Sequence, residues 1–293
     1  MFTTLMAVIV ALLLGHLAPA AMATLRDWRW FGRWLAVWQA QAGETGRYAA
    51  LLAIVPCVLL VAVLQWLLDG LLYGLPSLLF GILVLALCWG PRDLDRDVEA
   101  VLDADNVASR EAAVAHLQVA GGSLHEPVPS LVDATLLNAL RRWFAPLFWF
   151  LLLGPLGAVL YRLLALVVHG AVSAQAGAAG RAGASRVLAW LEWPVAQVMV
   201  LAMALVGNFD AVFSAWRRAG GNRWALDLEF LGEAARAGVG VELVEEAEEA
   251  REAGLVPIDE RYPELRDAMS LVWRMLLLWM ALLALLVIAG WVG

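Results

Sequence analysis

Arg162 carries the sharpest chemical implication in this sequence. It lies inside an apolar run spanning about 144–169. An ionised side chain within a membrane-crossing segment costs about 2.5–3.5 kcal/mol, so it is paired, lines a polar cavity or snorkels to the interface. Tyr161-Arg162 sits a turn or two from the end of the run, which keeps these readings open, and Glu192, early in the next run, is the available counter-ion. Arg141 and Arg142 stand at the entrance to the same run, shortly after Asn138. A guanidinium fork matches phosphate or carboxylate, so these three could hold an anion. The same two arginines would equally serve to orient the segment by positive charge.

Other chemistries are excluded or diluted. All 20 basic residues are arginine, so no lysine exists for a phosphate-binding P-loop or a Schiff base. Asp93, Asp95, Asp97, Asp103 and Asp105 could suggest magnesium, but a helix turns alternate carboxylates apart and Arg92 and Arg96 lie among them. A solvated acidic helix is the better account, here and for Glu245, Glu246, Glu248 and Glu249. His16, His116, His125 and His169 show no ligand spacing, and Cys57 and Cys88 lie in apolar runs. We expect no metal, no cofactor and no catalytic residue. A net charge of −7 without a basic stripe argues against nucleic acid.

The elements that hold these residues are hydrophobic. Apolar residues make up 62% of the 293, and mean hydropathy is +0.76, beyond what a soluble domain carries. Charges crowd into some stretches and vanish from others, as when lipid solvates one part and water another. The fold class expected is all-α, a polytopic membrane bundle of about six hydrophobic segments near 3–22, 48–68, 71–90, 144–169, 187–207 and 271–291. Ala18-Pro19-Ala20 resembles a signal-peptidase site, but Met1-Phe2-Thr3-Thr4 lacks a positive n-region, so a retained helix is expected. Asp69-Gly70 joins the second and third segments as a tight hairpin. Gly154-Pro155 interrupts the fourth, making it either a kinked span or a re-entrant hairpin. Trp66, Trp89, Trp143, Trp190, Trp273 and Trp291 lie near segment ends, where an interfacial belt or packing between helices would place them.

Five regions follow: N-terminal membrane segments over 1–90, a soluble helical segment over 91–143, membrane segments over 144–207, an acidic soluble helical segment over 208–270 and a last membrane helix over 271–293. Helical stretches in 208–270 are expected to break around Gly238 and Gly240. At about 26–41, Trp28, Phe31, Leu35 and Trp38 recur at helical spacing with Arg29 and Arg33 beside them. A helix lying in the headgroup layer has this pattern; so does a helix docked on the bundle. Arginines follow the first and third segments and recur in 208–270, while the 170–186 loop offers only Arg181 and Arg186. The positive-inside rule then places the arginine-richer segments in the cytoplasm and both termini outside.

Arg141-Arg142-Trp143-Phe144-Ala145-Pro146-Leu147-Phe148-Trp149, then Gly154-Pro155-Leu156-Gly157-Ala158 and Tyr161-Arg162, form a recognisable pattern. With Trp193-Pro194-Val195-Ala196, Gly207-Asn208-Phe209-Asp210 and Ala215-Trp216-Arg217-Arg218, it resembles the AmpE family, within a superfamily shared with the CobD/CbiB proteins. The resemblance covers most of the chain and adds Asn208, Asp210 and Asn222 to the ligand-binding candidates. Cobinamide-phosphate synthases carry Glu-Asn before the block; here Asn138 follows Leu137. They carry Asp where this chain has Arg141, and polar residues after Tyr-Lys where it has Leu163 to Val168. Their Ser-Pro-Asn-Ala-Gly-Trp motif survives at most as Gly221-Asn222-Arg223-Trp224. The resemblance therefore implies a non-catalytic bacterial inner-membrane modulator, linked to β-lactamase induction and cell-wall stress. Its expected partners are the lipid bilayer and either an envelope-signalling protein or a small anionic ligand. A divergent membrane ligase acting on an anionic or nucleotide substrate, using Asn138, Arg141 and Arg162, is the alternative.

Overall fold

A computed structural model describes residues 6–8, 10, 27–42, 46, 48–69, 74–89, 94–121, 130–170, 172–253 and 262–289, and among them every regular element is helical. In chain order these are α1 (Arg29–Ala42), α2 (Ala49–Leu68), α3 (Leu75–Cys88), α4 (Leu94–Leu102), α5 (Val107–Gly121) and α6 (Leu131–Ala139). A π-helical turn, Leu140–Phe144, leads into α7 (Ala145–Leu153), followed by α8 (Pro155–Val168), α9 (Gly177–Val206), α10 (Phe209–Arg218), α11 (Glu229–Glu252) and α12 (Pro263–Ile288). Most of the expected first span lies outside the described residues, as do Gly70, Pro127 to Pro129 and Trp291.

Among the described residues, four helical stretches are long and apolar enough to cross a membrane: Ala49–Leu68, Leu131–Leu153, Gly177–Val206 and Pro263–Leu285. The apolar helices α3 and α8 are shorter, at 14 residues each. Nearly all of α2 faces outward, with Leu52, Leu59, Leu60 and Trp66 exposed. Water would disfavour such a surface by roughly 25 cal/mol for every Å² of it; lipid solvates it.

The chain divides into two compact units. The first comprises Met1–Pro91, Arg141–Glu192 and Leu283–Gly293. Here α2 packs on α1, α3 and α8, and the expected hairpin partners α2 and α3 do touch. Phe31 and Leu35 of α1 are fully buried, and Trp34 donates its indole N–H to the Ala53 carbonyl at 2.9 Å. A Cβ on Gly32 would stand 3.2 Å from Val172, so glycine there permits close docking. The inner side of α1 is thus held by protein, with Arg29, Trp30 and Arg33 exposed. Arg29 closes back on the exposed Asp27 at 2.6 Å, and its hydrogen bonds hold that carboxyl below its usual range.

The second unit comprises Arg92–Leu140 and Trp193–Leu282. In it α4 packs on α5, α5 on α6, and α11 on both α6 and α10. Leu94, Val98, Val101 and Leu117 are buried, whereas Leu102 and Val114, which share the helical spacing of Val98, Val101 and Leu117 in the sequence, are half-buried.

The interruption expected at Gly154 is present, and three other local readings of the sequence change. The apolar run 144–169 is divided at Gly154, whose φ of 68° and ψ of −155° end α7 and start α8. The two halves pack on one another instead of continuing end to end, and a Cβ on Gly157 would fall 2.2 Å from the Trp149 carbonyl. Upstream, one helix runs through the expected boundary at 143 and 144. Pro146 would clash with the carbonyl four residues earlier in an α-helix; the wider π turn around Arg142 accommodates it. Most of the 170–186 loop is the start of α9, where Ala178, Ala179, Ala182 and Ala184 supply helix propensity in place of hydropathy. Finally, α11 continues through Gly238 and Gly240. A Cβ on Gly238 would approach Val212 of α10 at 3.2 Å, so this glycine serves helix packing and does not break the helix.

Candidate functional site

The buried chemistry of the first unit centres on Glu192, which is 3% exposed. Its Oε1 accepts from the Arg141 Nε at 3.1 Å and from the Tyr161 hydroxyl at 3.1 Å. The three residues come from α9, the π turn and α8 respectively. Tyr161 is fully buried, and the Trp149 indole donates to the Leu191 carbonyl at 3.2 Å beside the same glutamate. A carboxylate removed from water requires both charge neutralisation and hydrogen bonds; Arg141 supplies both and Tyr161 a second donor. Sequence reasoning offers Glu192 to Arg162, whereas these contacts give its Oε1 to Arg141 and Tyr161.

Arg162, next to Tyr161 on α8, is buried, as is Arg142 in the π turn. Between Arg141 and Glu192 the sequence holds five arginines and one acid, Glu192 itself.

Asn138, Asn208, Asp210 and Asn222 belong to the second unit. Asn138 is buried and donates both amide hydrogens, to the Leu117 carbonyl at 3.0 Å and the Ala134 carbonyl at 2.8 Å. Its donors thereby tie α6 to α5. Asn208 caps α10, its Oδ1 accepting from the Ala211 N–H at 3.0 Å. Asp210 follows in the first turn, exposed, where negative charge suits the helix dipole. Asn222 is exposed in the turn after α10.

Three polar contacts of this unit escape sequence reasoning. Asp133, 5% exposed on α6, pairs with Arg236 of α11. A Cβ on Gly232 would stand 2.5 Å from the Asp133 Oδ1, so a glycine one turn before the arginine admits the carboxylate. Glu242 pairs with Arg274 at 2.6 Å, and Arg274 also donates to the Val206 carbonyl at 3.3 Å. Gln197 accepts from the Trp216 indole at 2.9 Å and donates to the Gly221 carbonyl at 2.8 Å, binding α10 and its following turn to α9. The advance signal for the first of these is Gly232 in a helix interior, where a close neighbour is the usual reason.

These observations define a class: an all-helical, membrane-embedded protein whose buried polar groups are joined to one another across helices. The chain belongs to the AmpE family; the family model described as regulatory signalling modulator protein AmpE matches residues 4–292. No curated protein and no solved structure matches it.

Proposed function

We propose that this chain is a multi-pass protein of the bacterial inner membrane that modulates β-lactamase induction under cell-wall stress, without catalysis of its own. The observation that carries the reading is the family match over 4–292, joined to helices long and apolar enough to cross a membrane. Six segments cross or enter the bilayer, α1 lies along the headgroup layer, and the arginine-rich segments face the cytoplasm. The chain acts by binding an envelope-signalling protein or a small anionic ligand, with Arg141, Arg142, Arg162 and Glu192 as the anion-facing group.

The test is deletion of the gene in a strain with inducible β-lactamase, followed by a β-lactam challenge and an assay of hydrolysis. Induction should change, and the wild-type gene should restore it. Unaltered induction would remove the proposed role. Reporter fusions after residues 45, 90, 170 and 225 would test the crossings separately.

A further inference from the structure

Contacts within the second unit fix which parts of the chain share a face of the bilayer. Asp133 of the charged segment 91–143 pairs with Arg236 of the charged segment 208–270. The Trp273 indole, at the start of the last apolar segment, donates to the Asp95 Oδ1 at 2.9 Å. Hydrocarbon about 30 Å thick cannot lie between groups in direct contact. The chain between the two charged segments, α7 through α9, therefore begins and ends on one face.

Contacts within the first unit show that α7 and α8 already bring the chain back. The two helices fold on each other at Gly154, and Arg141 and Tyr161, one on either side of the fold, meet on Glu192. At the entrance, Trp143 stacks on Trp89, just past the end of α3, with ring centroids 6.4 Å apart. The fold itself lies near the C-terminal end of α2, where Gln65 accepts the Leu156 N–H at 3.2 Å. After α8 the chain stands at the opposite end of α2. There a Cβ on Gly180 would lie 3.5 Å from Ala50, and Gln39 of α1 donates to the Ala176 carbonyl at 2.8 Å. Ala50 and Gln65 are about 22 Å apart along α2. A helix pair that goes out and returns makes no net crossing, however deep its turn.

That leaves α9, which starts where α8 returned and runs into the segment 208–270. We infer that α9 does not cross the bilayer, although its length and hydropathy would allow it. Residues 91–143, 170–186 and 208–270 then share one face, and the apolar half of α9 is the core of a helical unit in water.

The packing of that half fits this role. Val195, Ala196, Met199 and Met203 are fully buried. Gln197 holds Trp216 and Gly221, which lays α10 back along the same half. From α10 to the start of α11, Asp210, Arg217, Arg218, Arg223, Asp227 and Glu229 are exposed. Lipid would disfavour these charges of both signs; water solvates them. A helix covered by neighbours on several sides has the apolar composition of a span, so hydropathy does not separate the two. Arg181 and Arg186 also join the arginine-richer segments on one face, in keeping with the positive-inside rule.

The inference rests on the membrane reading of the chain and adds its sidedness. A partner that reaches either charged segment, or the 170–186 stretch, approaches from the arginine-rich face.

The test uses the full chain with Cys57→Ala and Cys88→Ala, carrying Ser109→Cys, Ala174→Cys, Ser214→Cys or Asp69→Cys singly; all four positions are exposed. A membrane-impermeant maleimide is applied to intact cells and to inverted inner-membrane vesicles. We expect the cysteines at 109, 174 and 214 to react in the vesicles only, and the one at 69, at the end of α2, to react on cells only. Ala174→Cys reacting on cells, or protected from both faces until the protein is denatured, would overturn the inference and leave the membrane reading intact. Ser109→Cys and Ser214→Cys reacting from opposite faces would overturn it as well. Asp69→Cys reacting from the same face as the other three would mean that α2 does not cross, which overturns the membrane reading and the inference with it.

Discussion

Glu192 Oε1 accepts from Arg141 and from Tyr161 at the same 3.1 Å, so one carboxylate oxygen joins α9, the π turn and α8. The arrangement matters because the three groups depend on one another. Removing the carboxylate takes an ionic acceptor from a largely buried guanidinium, whereas removing the phenol leaves the ion pair in place.

Glu192→Ala should therefore destabilise the first unit by about 3–5 kcal/mol, as for a buried pair broken on one side. Tyr161→Phe should cost only about 1 kcal/mol. The double variant should fall short of the sum, because Tyr161 has nothing to donate to once the carboxylate is gone. Reversible unfolding in detergent or nanodiscs would measure all three. Strict additivity would mean that the two donors do not share Glu192.

The pattern that drew attention to Glu192 was an acid inside an apolar run, and that much was legible from sequence. Its partners were not. Arg141 lies 51 positions away in the chain, and its direction depends on a π turn whose cause, Pro146, signals a disturbance without specifying its shape. The contact between α2 and α3 was readable because it depends on local hydropathy, while the link between them over 70–73 lies outside the described residues. By contrast, the Gly154 fold-back and the continuity of α11 through Gly238 depend on what packs opposite them. Asn208 enters as a candidate through the resemblance; that its side-chain oxygen also caps α10 is visible only once the start of that helix is placed.

Asp133 offers a second buried pair with a different balance. Arg236 is partly exposed and also bonds Glu233 at 2.8 Å, so part of its charge is solvated. Arg236→Ala leaves the buried Asp133 carboxylate without its partner and should cost about 3 kcal/mol. Changing Glu233 to Gln should cost less than about 1 kcal/mol. Hydrogen exchange across α6 and α11 would localise the loss. Equal effects from both changes would show that Asp133 is not the dependent partner.

Asn208 provides a test between capping and ligand binding. Asn208→Ala removes the acceptor for the Ala211 N–H and should lower stability by about 1 kcal/mol. Asn208→Asp keeps the acceptor and adds charge favourable to the helix dipole, so it should match or exceed wild type. Amide exchange over residues 209–213 should rise in the first variant alone. Loss of β-lactamase modulation in the aspartate variant, with α10 intact, would instead assign Asn208 a direct binding role.

Two glycines of the second unit should respond in opposite directions. Gly240 lies in the interior of α11, and a Cβ there meets nothing within 4 Å. Gly240→Ala gains helix propensity without a steric cost and should stabilise by about 0.5–1 kcal/mol. Gly221 is closed in by Trp216: a Cβ would fall 2.1 Å from the indole nitrogen that bonds Gln197. Gly221→Ala must therefore displace either the ring or the turn, weakening both Gln197 contacts, and should cost roughly 1–3 kcal/mol. If the turn is anchored as these contacts indicate, Gln197→Ala should reproduce much of that loss and Gly221→Ala should add little to it. An unchanged melting temperature for Gly221→Ala would mean that the turn is not held against α9 in this way.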